Sequence, residues 1–160
     1  MRRFFAILMT VTMVCAPMLA DTGNSFTKVR YNAGTLQTTV SPKEWDNKLV
    51  ITSELITLTL KDGQKVDIDP KTVTSLSYGQ EAHRRVGTMV ALAILVAPVA
   101  LFGLFHKTKL HYIGVEYEKD GKKSGLLLQG DKDNYRGILM SLKSVTGKDV
   151  ETAPEDKGKK

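Results

Sequence analysis

A chain of 160 residues is long enough for one ordinary domain and a targeting segment, but too short for two domains with separate cores. Hydrophobic residues make up 42% and charged residues 25%, near the globular average, which excludes wholesale disorder and a polytopic membrane protein. The formal net charge of +6 includes Arg2 and Arg3; without them it is +4, too mild a surplus to draw in nucleic acid.

Residues 1–20 have the three-part form of a secretory signal peptide. Arg2 and Arg3 precede the apolar run Phe4 to Met9, and small Ala20 stands before Asp21. Export is expected, with cleavage after Ala20, although Met18 is larger than its position usually takes. Cys15 raises a lipoprotein reading, against which Val14 occupies the place where a small residue is wanted. Cleavage after Ala20 removes the single cysteine, and with it any disulfide, thiol nucleophile or thiolate metal site.

From Thr27 to Tyr78 the pattern is one of strands. Val29 and Tyr31 alternate with polar neighbours, Gly34 breaks the run, and Leu36 to Val40 resumes an extended, Thr-rich stretch. Ser41, Pro42 and Lys43 then punctuate the chain. Leu49 to Thr52 reads as a short strand, Ser53 and Glu54 as a tight reversal, and Leu55 to Leu60 as a strand with Ile56, Leu58 and Leu60 on one face. Asp62 and Gly63 are expected to supply positive backbone angles to a two-residue hairpin, followed by Val66 and Ile68. A further strand follows Asp69 and Pro70, carrying Val73, Leu76 and Tyr78.

Val86 to Phe105 is a run of twenty residues without a charge, bordered by His83, Arg84 and Arg85 before it and His106, Lys107 and Lys109 after it. As a straight helix it would measure roughly 30 Å, the thickness of a bilayer's hydrocarbon core. Pro98 near its middle, with Gly87 and Gly103 near its ends, leaves open a kinked helix, a re-entrant hairpin or a buried soluble helix. The absence of a polar stripe favours membrane contact. Val90, Leu92, Ile94, Leu95, Val99, Leu101, Phe102 and Phe105 are the expected lipid contacts, and Arg84, Arg85, Lys107 and Lys109 the expected headgroup contacts.

Beyond the run, His111, Ile113, Val115 and Tyr117 share one strand face against Tyr112, Glu116 and Glu118. Asp120 and Gly121 form a second hairpin turn, and Gly125 to Gln129 the return strand. The period then changes: Tyr135, Ile138, Leu139, Leu142 and Val145 form one helical stripe, with Asp131 or Asp133 as its expected cap and Gly147 as its end. Lys148 to Lys160 carries four positive and four negative charges and is expected to be a disordered tail.

About seven strands and one amphipathic helix give a mainly β (α+β) chain. The order resembles the pleckstrin-homology superfold, including its bacterial and GRAM-type relatives. The meander Leu49 to Tyr78, ending in DPKTVTSLSY, and the closing segment DNYRGILMSLKSVTG carry the likeness. Tyr112 through that segment is also similar to bacterial envelope proteins with a hydrophobic insert ahead of it. The resemblance implies a small β-barrel over residues 25–147, capped by the helix and interrupted by an insert at 86–105, and a binding or scaffolding role with no named ligand. In the loop Ser41 to Lys48 only Lys43 and Lys48 are basic, opposed by Glu44 and Asp46, which argues against a phosphoinositide-type site.

Candidate chemistry is sparse. Ser25 to Lys28 has the S-x-x-K spacing of penicillin-recognising enzymes, without the accompanying S-D-N or K-T-G elements. Asp67 and Asp69 share a strand face with Lys65, which reads as a solvated surface rather than an acid/base pair. Asp131, Asp133 and Asn134 begin like a calcium loop, yet Arg136 stands where glycine is required and Leu142 where the closing glutamate belongs. His83, His106 and His111 offer no ligand set, and no metal or cofactor is expected. Trp45 reads as an interface anchor, a partner contact or an aromatic covering one end of the barrel.

The leading expectation is an exported, non-catalytic binding or scaffolding module at the envelope membrane, on the periplasmic side. Its expected partners are membrane lipid and an envelope protein or a second copy of the chain, not nucleic acid. A compact barrel requires an insert that leaves and returns on one side of the bilayer, kinked near Pro98. The alternatives are a single-pass subunit with soluble parts on both sides and, more remotely, an unrecognised hydrolase.

Overall fold

In the computed structural model, residues 23–82, 84–86 and 110–152 are described. The leader with Cys15, the lipid contacts Val90 to Phe105, Lys107, Lys109, His83, His106 and the last eight tail residues lie outside them. Eight strands form one sheet: β1 Asn24–Gly34, β2 Asn47–Ile51, β3 Ile56–Thr59, β4 Lys65–Ile68, β5 Val73–Tyr78, β6 His111–Lys119, β7 Lys122–Gly130 and β8 Val150–Thr152. Their spatial order is β4-β3-β2-β1-β7-β6-β5-β8. The expected barrel is therefore one open sheet with β4 and β8 at its edges. All its pairings are antiparallel except the parallel pair of β5 and β8.

Alternation puts every second residue of each strand into a common core. Leu49, Ile51, Ile56, Leu58, Ile68, Leu76, Ile113, Val115, Leu126 and Leu128 meet there with Ile138 and Leu142 of the helix Tyr135–Thr146. Both ends of the sheet contribute to this single cluster, so the sheet curls around it. Each fully buried Leu or Ile contributes about 1.5–3 kcal/mol relative to leaving it in water.

Four local expectations need correction. Leu36 to Val40 is loop, not strand: β1 already has neighbours on both edges, and the Tyr31 hydroxyl donates to the Leu36 carbonyl at 2.8 Å. The Asp62–Gly63 turn places only Gly63 at positive φ, 87°. Leu60 N–H donates to Gln64 O, Gly63 N–H donates to Leu60 O, and a three-residue connection with an αL glycine results. By contrast Asp120 (φ 52°) and Gly121 (φ 71°) form the expected two-residue turn between Lys119 and Lys122. The tail is ordered as far as β8, which makes eight strands rather than seven.

Neither Asp131 nor Asp133 is the N-cap of the helix. Asn134 takes the N-cap position without a side-chain cap bond, and the Asp131 carbonyl accepts from the Asn134 and Tyr135 N–H groups. The Asn134 amide instead donates to the Thr27 and Lys28 carbonyls at 2.8 and 3.3 Å. Those residues form a bulge in β1, where Lys28 has φ 56° and the register shifts between Phe26 and Val29. At the other end Gly147, with φ 66°, donates back to the Lys143 carbonyl and stops the helix as expected.

Candidate functional site

The strands flanking the uncharged run are hydrogen-bonded neighbours: Tyr78 of β5 lies opposite Ile113 of β6. Gly79, at φ 71°, reverses the chain after β5 and donates to the Tyr112 carbonyl. Residues 80–82 and 84–86 are helical and pack on the sheet face opposite the main core. Ala82 and Val86 are buried there with Tyr112 and Leu127, and Ala33 and Leu110 pack alongside. Val86, the first residue of the run, is thus part of the protein's own packing. Burial pushes the Tyr112 phenol up to about 12.

Gly114 explains how a helical segment comes so close. A Cβ added there would stand 2.4 Å from Ser77 Oγ and 3.2 Å from both Cα and Cβ of Ala82. Only the bare backbone of glycine admits the segment at that depth. Among the described residues the buried Ser77 hydroxyl has no hydrogen-bond partner.

Of the expected headgroup contacts, Arg84 and Arg85 are described, and both are tied to carboxylates. Arg84 Nη2 donates to Glu81 Oε1 at 2.7 Å and its Nε to Oε2 at 3.2 Å. Arg85 Nε also donates to Glu81 Oε1 at 2.7 Å. Its Nη1 reaches Ser75 Oγ at 3.3 Å and Glu151 Oε1 at 3.1 Å, and its Nη2 bonds Glu151 Oε2. Arg84 and Arg85 hold the Glu81 carboxyl below the usual carboxylate range, whereas burial raises that of nearby Glu116. Arg84 remains 75% exposed at its side chain.

A stack of rings closes the corner where β5 ends and β6 begins. His111 and Tyr135 lie parallel with centroids 3.7 Å apart, Tyr78 stacks on Tyr135 at 5.7 Å, and the Tyr78 hydroxyl and His111 Nδ1 are 2.7 Å apart. The Arg136 Nε donates to the Tyr135 hydroxyl at 2.9 Å. His111 reads from the sequence only as a strand residue; its contact with Tyr78 depends on β5 and β6 being neighbours in the sheet. Elsewhere the Arg30 guanidinium lies 3.9 Å from the centroid of the half-buried Trp45 ring, while its Nε donates to the Lys43 carbonyl at 3.0 Å. Trp45 thereby fastens the β1–β2 loop to the sheet.

The remaining candidates resolve into structural roles. Ser25 and Lys28 are strand residues of β1, without the helix that would stack a lysine beneath a serine. Asp67 accepts from the Thr57 hydroxyl at 2.7 Å, and Asp69 accepts from Lys71 N–H at the start of the short 3-10 helix Pro70–Thr72. Glu44 and Asp46 both bind Lys61, at 2.9 and 3.2 Å. Among the described residues, no group of three or more His, Cys, Asp or Glu could hold a metal ion. Among the same residues, no helix is long and apolar enough to cross a membrane.

What the fold defines is a mainly β protein built on one eight-stranded open sheet. No protein-family model matches the sequence, and no curated protein matches it. Among solved structures, the chain is similar to one from "Structure of the Spt16D Pob3N heterodimer", with a TM-score of 0.45 and 10% sequence identity. The match covers 86% of this chain and spans 58% of that chain's length.

Proposed function

We propose that this chain is an exported, non-catalytic binding or scaffolding module of pleckstrin-homology-like form, held at the envelope membrane by residues 87–105. The observation that supports this reading is the pairing of β5 with β6. The uncharged run departs from one strand and rejoins its hydrogen-bonded neighbour, with Tyr78 opposite Ile113. A single crossing would pull these two strands to opposite sides of a bilayer and forfeit their pairing. Two full crossings need about twice the twenty residues present. A segment that dips into one leaflet and returns, bending near Pro98, keeps the sheet intact and the apolar side chains out of water.

The strand order β4-β3-β2-β1-β7-β6-β5 followed by the closing helix fits the pleckstrin-homology pattern and supports that part of the reading. The ion-paired loop at Glu44 and Asp46 favours a protein or lipid-surface partner over a phosphoinositide headgroup. Flotation of the full chain with liposomes, followed by carbonate washing, tests membrane attachment. The wild type is expected to float and resist the wash. Ile94→Glu with Leu95→Glu, which places carboxylates where each costs about 2.5–3.5 kcal/mol, is expected to release it. A wild type that stays in the soluble fraction without detergent would overturn the proposal.

A further inference from the structure

The C-terminal strand is short, peripheral and tied by its charge to the root of the uncharged run. β8 consists of three residues, lies parallel to β5 and pairs with Leu76, Ser77 and Tyr78 alone. Gly147 precedes it in a left-handed conformation, and Pro154, which has no N–H to donate, follows two residues later. Three backbone pairs at a sheet edge are a weak hold. The Glu151 carboxylate adds a charged hold: it accepts from Arg85 Nη1 and Nη2 and from the Ser75 hydroxyl at 3.2 Å, while Val150 packs at the margin of the main core and Asp149 accepts from Lys143 Nζ at 2.6 Å.

Arg85 belongs to the helical residues 80–82 and 84–86, whose own grip on the sheet is small. Ala82 and Val86 are its buried apolar side chains among the described residues. Neither offers the area of the leucines and isoleucines that hold the main core. The Arg85 guanidinium is therefore a large part of what fixes this segment, and it divides between Glu81 on its own turn, Ser75 on β5 and Glu151 on β8. Glu116 faces the same node from β6 and adds negative charge to it.

We infer that Val150–Thr152 is a detachable latch: while it is docked, Glu151 clasps Arg85 and fixes the helical segment that leads into the uncharged run; when it lifts, that segment loosens. The latch operates whatever surrounds residues 87–109.

Hydrogen exchange of the full chain in detergent micelles tests this with two variants. Glu151→Ala removes the clasp and leaves the strand backbone, whereas Val150→Gly weakens the strand and leaves the clasp. Both are expected to speed amide exchange roughly tenfold at 150–152 and also at 80–86, with the hairpin at 119–122 unchanged. Protection at 80–86 that stays at the wild-type level while 150–152 opens would overturn the inference. So would a wild-type tail strand that exchanges without protection.

Discussion

The two halves of the sheet solve the burial problem differently. In β3 and β4 one face is buried and the other meets solvent: Ile56, Leu58 and Ile68 point inward, while Thr57, Lys65 and Asp67 point out. In β6 and β7 both faces are covered, so Tyr112 to Val115 and Ser124 to Gly130 are buried without alternation. The second cover is the helical segment seated on Gly114. A strand's exposure pattern thus reports how many layers lie over it, and the half with two covers is the half that carries the uncharged run.

Charge placed on the outward face is the sharpest way to break this comparison. Leu127→Lys puts an ammonium into the cluster with Tyr112, Ala82 and Val86, and is expected to cost about 3 kcal/mol or more in chemical unfolding. Thr57→Lys, outward on β3 beside Asp67, is expected to stay within about 0.5 kcal/mol of wild type. Equal effects at the two sites would show that the second cover contributes nothing.

A smaller effect is expected at Gly114. Val in its place would meet Ser77 and Ala82 and lift the helical segment, at a cost of about 2 kcal/mol in the same measurement. New exchange at 80–86, with the main core still protected, would locate the damage.

The smallest effect is a pH dependence. Glu81 titrates below its ordinary value because Arg84 and Arg85 bond its charged form. Its stabilisation is complete above the ordinary carboxylate range and is lost as pH falls through the lowered value. The stability gap between wild type and Glu81→Gln should therefore be present at neutral pH and close in acid. A gap that widens on acidification would reverse the assigned sign.

The alternating half was legible from residues alone: Ile56, Leu58 and Leu60 against Thr57 and Thr59 fix a half-buried strand and its inward face. The helix stripe Ile138, Leu142 and Val145 was equally plain, as was the turn at Asp120–Gly121. What escaped depended on partners distant in sequence. Nothing near Val150 announces a strand, because its pairing partner is more than seventy residues away and its charge partner is Arg85. Leu36 to Val40 had strand composition but forms the connection from β1 to β2, where the Leu36 carbonyl is taken by the Tyr31 hydroxyl. Arg84 and Arg85 read as headgroup contacts from their position beside an apolar run; Glu81, three and four residues before them, binds both, and that local spacing was a signal the sequence did carry.

The proposed membrane attachment requires both ends of the uncharged run to lie on one side of a membrane. Single cysteines at Lys48 and Lys122, in a Cys15→Ser background and in sealed vesicles, can be probed with an impermeant thiol reagent. Labelling of both positions from the same side is the expected result. Labelling of one from outside and the other only after the vesicles are opened would contradict it.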